Sequence, residues 1–195
     1  MFAIAEDDAG QLYATGTFRQ RDEAPLDVYT IAVHGADGRL VWADRLDKGR
    51  DDTGHGITID RQNNLWVTGY STSAGFGGQD GFIARYKAGR AVAFWTFGGA
   101  GDDRIMNLRA GPEGDLFFVG YARALTDGAR FDVWLGQVSN EGELRHSVHH
   151  GSSHDDRGVH LLVRPNGVIA AGSFGSSSRP NDMDFAVFRV DFKRP

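Results

Sequence analysis

No cysteine occurs anywhere in this chain of 195 residues, which rules out disulfides and thiolate metal sites and leaves the fold to be held by packing alone. Long apolar runs are missing as well. The longest are strand-sized, such as Leu116-Phe117-Phe118-Val119, far short of the roughly 20 residues of a membrane-spanning helix. No basic excess exists: 21 Lys and Arg stand against 26 Asp and Glu, for a net charge of −5. The basic residues are scattered, which argues against a nucleic-acid partner, since that needs them gathered on one face. Met1 to Asp8 lacks the basic start, apolar stretch and cleavage site of an export signal. Helical periodicity is nowhere sustained, so essentially no helix is expected.

What the chain does have is a repeat. An aspartate opens an apolar strand at Asp27-Val28-Tyr29, at Asp80-Gly81-Phe82, at Asp132-Val133-Trp134 and at Asp184-Phe185-Ala186. The spacings, 80−27 = 53, 132−80 = 52 and 184−132 = 52, are those of a supersecondary unit stacked on its neighbours. Within one unit, a short strand A at Gly56 to Asp60 is followed by an Asn-rich turn and by strand B at Leu65 to Tyr70. A Ser/Gly loop, 71–79, leads to strand C at Gly81 to Tyr86, and a tight turn to strand D at Ala91 to Phe97. Other units begin strand A at Phe2, Asn107 and His160.

Four short antiparallel strands per unit match a propeller blade. The expected fold is therefore all-β: one domain, residues 1–195, of about four β-propeller blades with repeats near 1–52, 53–103, 104–156 and 157–195. The last blade lacks its outer strand, which gives fifteen strands. Ring closure has three candidate routes: four blades closing on themselves, two copies forming an eight-blade ring, or a piece of a longer propeller. The second and third are preferred, because an open stack leaves two blade faces and the edge at Phe185 to Val190 in need of cover.

The residues Asp80, Phe82, Gly98, Gly99, Gly101 and Asp102, with Ile57, Asp60, Asn63, Leu65, Val67, Thr68 and Gly69, carry a resemblance to the bacterial seven-bladed beta-propeller repeat family, SBBP. It covers essentially the whole chain and is weakest at His149-His150-Gly151-Ser152 and at Arg164. The resemblance implies a binding or scaffolding module, extracellular or periplasmic, with no shared reaction and no catalytic residues.

Paired aspartates, Asp51-Asp52, Asp102-Asp103 and Asp155-Asp156, fall where strand D leads to the next strand A. A ring of carboxylates could hold Ca²⁺, but a device repeated in each blade reads better as a structural acceptor of backbone N–H bonds. Five of the seven histidines crowd into 146–160, beside Asp155 and Asp156. This makes His150, His154, Asp155, Asp156 and His160 the candidate ligands for Zn²⁺ or Ca²⁺, with His160 facing the central channel. On an alternating strand His146 and His150 share one face and His149 takes the other, so only a subset can converge. Trp42, Trp66, Trp95 and Trp134 are read as core filler rather than sugar platforms. No cofactor is expected.

The leading functional expectation is a non-enzymatic module binding a protein or glycan through the loops that join strands B and C, 71–79, 122–131 and 175–183. The alternatives are a metal-dependent enzyme with its site in the channel, and a structural unit assembling with another copy of itself.

Overall fold

The computed structural model describes residues 1–123, 130–165, 167–175 and 183–192. Its elements are strands: β1 (Ala3–Glu6), β2 (Gln11–Phe18), β3 (Asp27–His34), β4 (Leu40–Leu46), β5 (Asp52–Ile59), β6 (Leu65–Ser71), β7 (Asp80–Lys87) and β8 (Arg90–Phe97). There follow β9 (Asp103–Ala110), β10 (Leu116–Arg123), β11 (Phe131–Val138), β12 (Leu144–His150), β13 (Arg157–Arg164), β14 (Gly167–Gly175) and β15 (Met183–Val190). Three sheets of four strands and a fourth of three, β13-β14-β15, each pair strands in sequence order and antiparallel. The all-β propeller architecture expected from the repeat is present. The last sheet has no fourth strand among the described residues. The first strands of successive sheets lie against one another, β1 on β5, β5 on β9 and β9 on β13, while the fourth strands diverge. The sheets therefore radiate from an axis lined by their first strands.

Local chemistry sets each hairpin. In the second sheet Asp60 caps the turn from β5 to β6: its carboxylate accepts the Gln62 and Asn64 N–H groups at 2.9 and 2.8 Å and the Trp66 indole N–H at 2.9 Å. Asn63 takes φ 61°, the left-handed angle that the Asn-rich turn foretells. Asp7 repeats the device in the first sheet, accepting from Ala9 and Gln11 N–H and from the Tyr13 hydroxyl.

The core lies between sheets. Val28 of the first meets Ile57, Val67 and Phe82 of the second; Trp66 and Ile83 of the second meet Ile105, Leu108 and Phe118 of the third; Val119, Val133 and Leu135 meet Leu161, Val168 and Ala170 of the fourth. Trp66 and Trp134 are buried, and Trp42 and Trp95 pack at the edges of these clusters, so the tryptophans serve as core.

Strand A begins earlier than its residue types suggest, at Asp52, Asp103 and Arg157 rather than at Gly56, Asn107 and His160. The extra turn of strand contains a bulge in each case, at Gly54/Gly56, at Ile105/Asn107 and at Gly158/His160. Glycine there signals close approach rather than a loop. A Cβ on Gly54 would press on Thr15 Oγ1 and lie 2.9 Å from Val28 Cγ1, and one on Gly158 would press on Val119 Cγ2 and lie 2.9 Å from Val133 Cγ1. In the middle junction the sizes are exchanged: Ile105 takes the first-strand position and Gly81 the facing one, where a Cβ would lie 2.6 Å from Ile105 Cγ1. Each junction thus matches one glycine with one branched side chain and keeps the combined volume nearly constant.

Candidate functional site

The loops from the fourth strand of one sheet to the first strand of the next share an end of the molecule with the loops joining the second and third strands. The paired aspartates knit the two sets together. Asp51, Asp102 and Asp155 accept the N–H of Leu26, Gln79 and Phe131 at 2.8, 3.1 and 3.0 Å. The carbonyls of those same residues accept the N–H of Asp52, Asp103 and Asp156 at 2.7, 2.5 and 2.6 Å. The second aspartate of each pair is buried and closes its own loop, accepting from Lys48 N–H at 2.9 Å, from Gly99 N–H at 2.5 Å and from Ser152 N–H. One clasp is written three times, and its carboxylates are acceptors of backbone hydrogen bonds. Burial pushes the Asp52 and Asp103 carboxyls above the ordinary carboxylate range, helped by the charges of Asp27 and Asp80 respectively.

Above the middle clasp a cleft of about 870 Å³ separates the second and third sheets. Phe97, at the end of β8, and Trp134, on β11, are its buried apolar floor. Trp134 donates its indole N–H to Ser147 Oγ at 2.8 Å and carries the His149 ring stacked 5.9 Å away at 15°. Burial lowers the His149 pKa, while Asp132 and Asp103 pull it upward. At the rim stand Phe76, 69% exposed, from the loop joining β6 to β7, and Arg123, the last residue of β10. The Arg123 guanidinium lies 3.9 Å from the Asp102 carboxylate and 5.4 Å from the centre of the Phe131 ring. An apolar floor with a guanidinium and an imidazole at its edge suits a ligand with an apolar anchor and an acidic group. A smaller cavity of about 460 Å³ opens between the third and fourth sheets at the opposite end, beside Asp115, Arg145 and Phe192.

The candidate metal ligands fall in separate surroundings. The His150 ring packs on the fourth sheet, 5.7 and 5.6 Å from Phe174 and Phe188, and His154 sits 3.1 Å from Ser153 Oγ. Asp155 faces Arg157 at 3.7 Å, and Asp156 is buried, accepting also from Gly175 N–H at 2.9 Å. His160 stands exposed on β13 with Nδ1 3.5 Å from Nδ2 of Asn107, the equivalent residue of the preceding sheet. As the strand alternation requires, His149 points into the cleft while His146 and His150 face the fourth sheet.

Among the described residues, the grouping of His, Asp or Glu that brings three ligand atoms within 4.8 Å of one another is Asp27, Asp47 and Asp52. Residue-by-residue reading missed it. The signal was Asp47 standing where the other junctions have Gly98 and Gly151. Arg45 offsets part of the charge of this group, 2.6 Å from Asp27 and 2.9 Å from Asp47. Of the three loops expected to form a recognition surface, 71–79 is described throughout, whereas 124–129 and 176–182 lie outside the described residues.

Residues 47–77, which span the first clasp, β5, β6 and Phe76, match the model of the SBBP beta-propeller repeat. That segment is similar to one SBBP repeat. An endo-arabinase from Bacteroides thetaiotaomicron is similar in structure at 13% identity, over 97% of this chain and 74% of that one, with a TM-score of 0.50. Identity so low shows a common propeller-type fold and nothing of chemistry. No curated protein matches the chain.

Proposed function

We propose that this SBBP-type propeller is a binding module and that its recognition surface is the cleft between the second and third sheets. The observation that carries the reading is that Phe76, from a loop of the second sheet, and Arg123, at the end of β10 in the third, line one apolar cleft of about 870 Å³. The favoured ligand is a protein segment that seats an apolar side chain on Phe97 and Trp134 and offers a carboxylate to Arg123. A glycan is less well served, because Trp134 is buried and Phe76 is the exposed aromatic of the cleft. What the arabinase acts on stays with that protein, and no reaction is assigned to this chain.

Peptide display followed by calorimetry tests the reading. Selected peptides should share an apolar residue near an acidic one, and Phe76→Ala or Arg123→Ala should each weaken them about tenfold or more. Peptides indifferent to both substitutions, or glycans bound in their place, would defeat it.

A further inference from the structure

One position in the first strand of every sheet faces the preceding sheet. Its occupants are Ile4, Ile57, Leu108 and Leu161, paired in register with Ala14, Val67, Phe118 and Ala170. Ile57, Leu108 and Leu161 are 2%, 0% and 6% exposed, whereas Ile4 is 67% exposed. The same face of the first sheet also leaves Leu12, Tyr29 and Ile31 half-buried, where the second sheet buries Leu65, Phe82 and Ala84.

The other end mirrors this. Positions in the third strand that face the following sheet are Val28 and Thr30, Gly81 and Ile83, Val133 and Leu135, all buried. In the fourth sheet they are Phe185, 78% exposed, and Val187, 59% exposed, with Met183 and Leu162 exposed on the same face. The stack therefore ends in two different apolar surfaces. Each is one half of a contact already made three times inside the molecule.

We propose that the far face of the fourth sheet docks onto the near face of the first sheet of a second copy, head to tail, repeating the contact that joins each internal pair of sheets. A heterologous contact of this kind closes into a ring when the rotation permits and buries both surfaces at once. It sets Val187 against Ile4 as Ile83 and Leu135 are set against Leu108 and Leu161. It also places Phe185 opposite Met1, where the internal junctions oppose a branched side chain and a glycine, so both members of this pair are larger than their internal counterparts.

Light scattering coupled to gel filtration reads the outcome. The wild-type chain should show at least twice its 21.3 kDa and dissociate on dilution; one chain at every concentration refutes the proposal. Ile4→Glu and Val187→Glu each alter a side chain already in water, so both should stay folded by circular dichroism and run as single chains. Mixed in equal amounts they should recover a two-chain species, because each supplies the face the other lacks. Assembly of either variant alone would mean like-to-like contact, and failure of the mixture would mean no contact between the two faces; both overturn the proposal. Phe185→Val, which copies Val28 and Val133, should hold or tighten the assembly several-fold. A several-fold loss instead would reveal unspecific adhesion of an apolar patch.

Discussion

Ile4 and Ile57 hold the same place in adjacent sheets, one open to water and the other sealed. Nothing in either sheet's own backbone explains the contrast, since register, pairing and residue type agree. The neighbour explains it: the second sheet is covered on both faces, the first on one. In this architecture a residue joins the core because of the blade laid over it, so the middle of the stack and its ends differ in energy while sharing a sequence pattern.

Truncating the two isoleucines should separate covered from open faces most clearly. Ile57→Ala should lower unfolding free energy by about 3 kcal/mol and Ile4→Ala by less than about 0.5 kcal/mol in urea titrations of the single chain. Equal losses would mean that the first sheet is covered too. Next comes the volume exchange at the junctions. Gly54→Val should cost about 2 to 3 kcal/mol by crowding Thr15 and Val28, and adding Val28→Gly should recover about 1 kcal/mol of it, the share due to Val28. Independent, additive losses would show that the two positions do not share one space.

The clasp yields a smaller contrast. Asp156→Ala strands the N–H groups of Ser152 and Gly175 and should cost about 2 kcal/mol by thermal or urea unfolding. Asp184→Ala, in the fourth-sheet position that corresponds to Asp27, Asp80 and Asp132 and exposed near the start of β15, should cost almost nothing.

The least of these effects belongs to one boundary. His55 is stacked between Phe2 at 4.8 Å and Tyr70 at 5.5 Å, and the corresponding residues of the next two sheets are Met106 and Val159. Burial, with the charge of Arg104 behind it, brings the His55 pKa down from 6.5 to about 4. The folded state thus binds that proton less well than the unfolded chain, and stability falls as pH drops from about 6.5 towards 4. Asp52 and Asp103, held above the carboxylate range, act in the opposite sense, their folded forms losing stability as pH rises through it. The difference between wild type and His55→Gln cancels the aspartates and should show about 1 to 2 kcal/mol of acid sensitivity between pH 7 and 4.5. Identical pH profiles would show that the ring is solvated.

The sequence made the blades legible because the aspartate recurrences and turn residues act locally: Asp60 and Asn63 shape their hairpin whatever lies beyond it. It hid the starts of β5 and β13, since Gly54, Gly56 and Gly158 look like loop residues until the sheet pressed against them is in place. The clasp was readable as a repeated acceptor, yet its partners Leu26, Gln79 and Phe131 lie more than twenty residues away and carry no polar side-chain motif. The cleft was the least legible part. Its floor residues, Phe97 and Trp134, are ordinary strand aromatics, and their convergence with Arg123 depends on how two sheets splay apart at their outer strands. The acidic trio at Asp27, Asp47 and Asp52 needed the same information.

Because the chain lacks cysteine, single cysteines can be placed at will, and the rate at which a maleimide labels them reports directly on cover. Cysteine at 57 and at 83 should react slowly at any protein concentration. Cysteine at 4 and at 187 should react rapidly in dilute solution and slow down together as the protein is concentrated. Equal protection of positions 4 and 57 at the lowest concentration would contradict an open stack, and rapid labelling at 4 and 187 that ignores concentration would contradict its closure by a second copy.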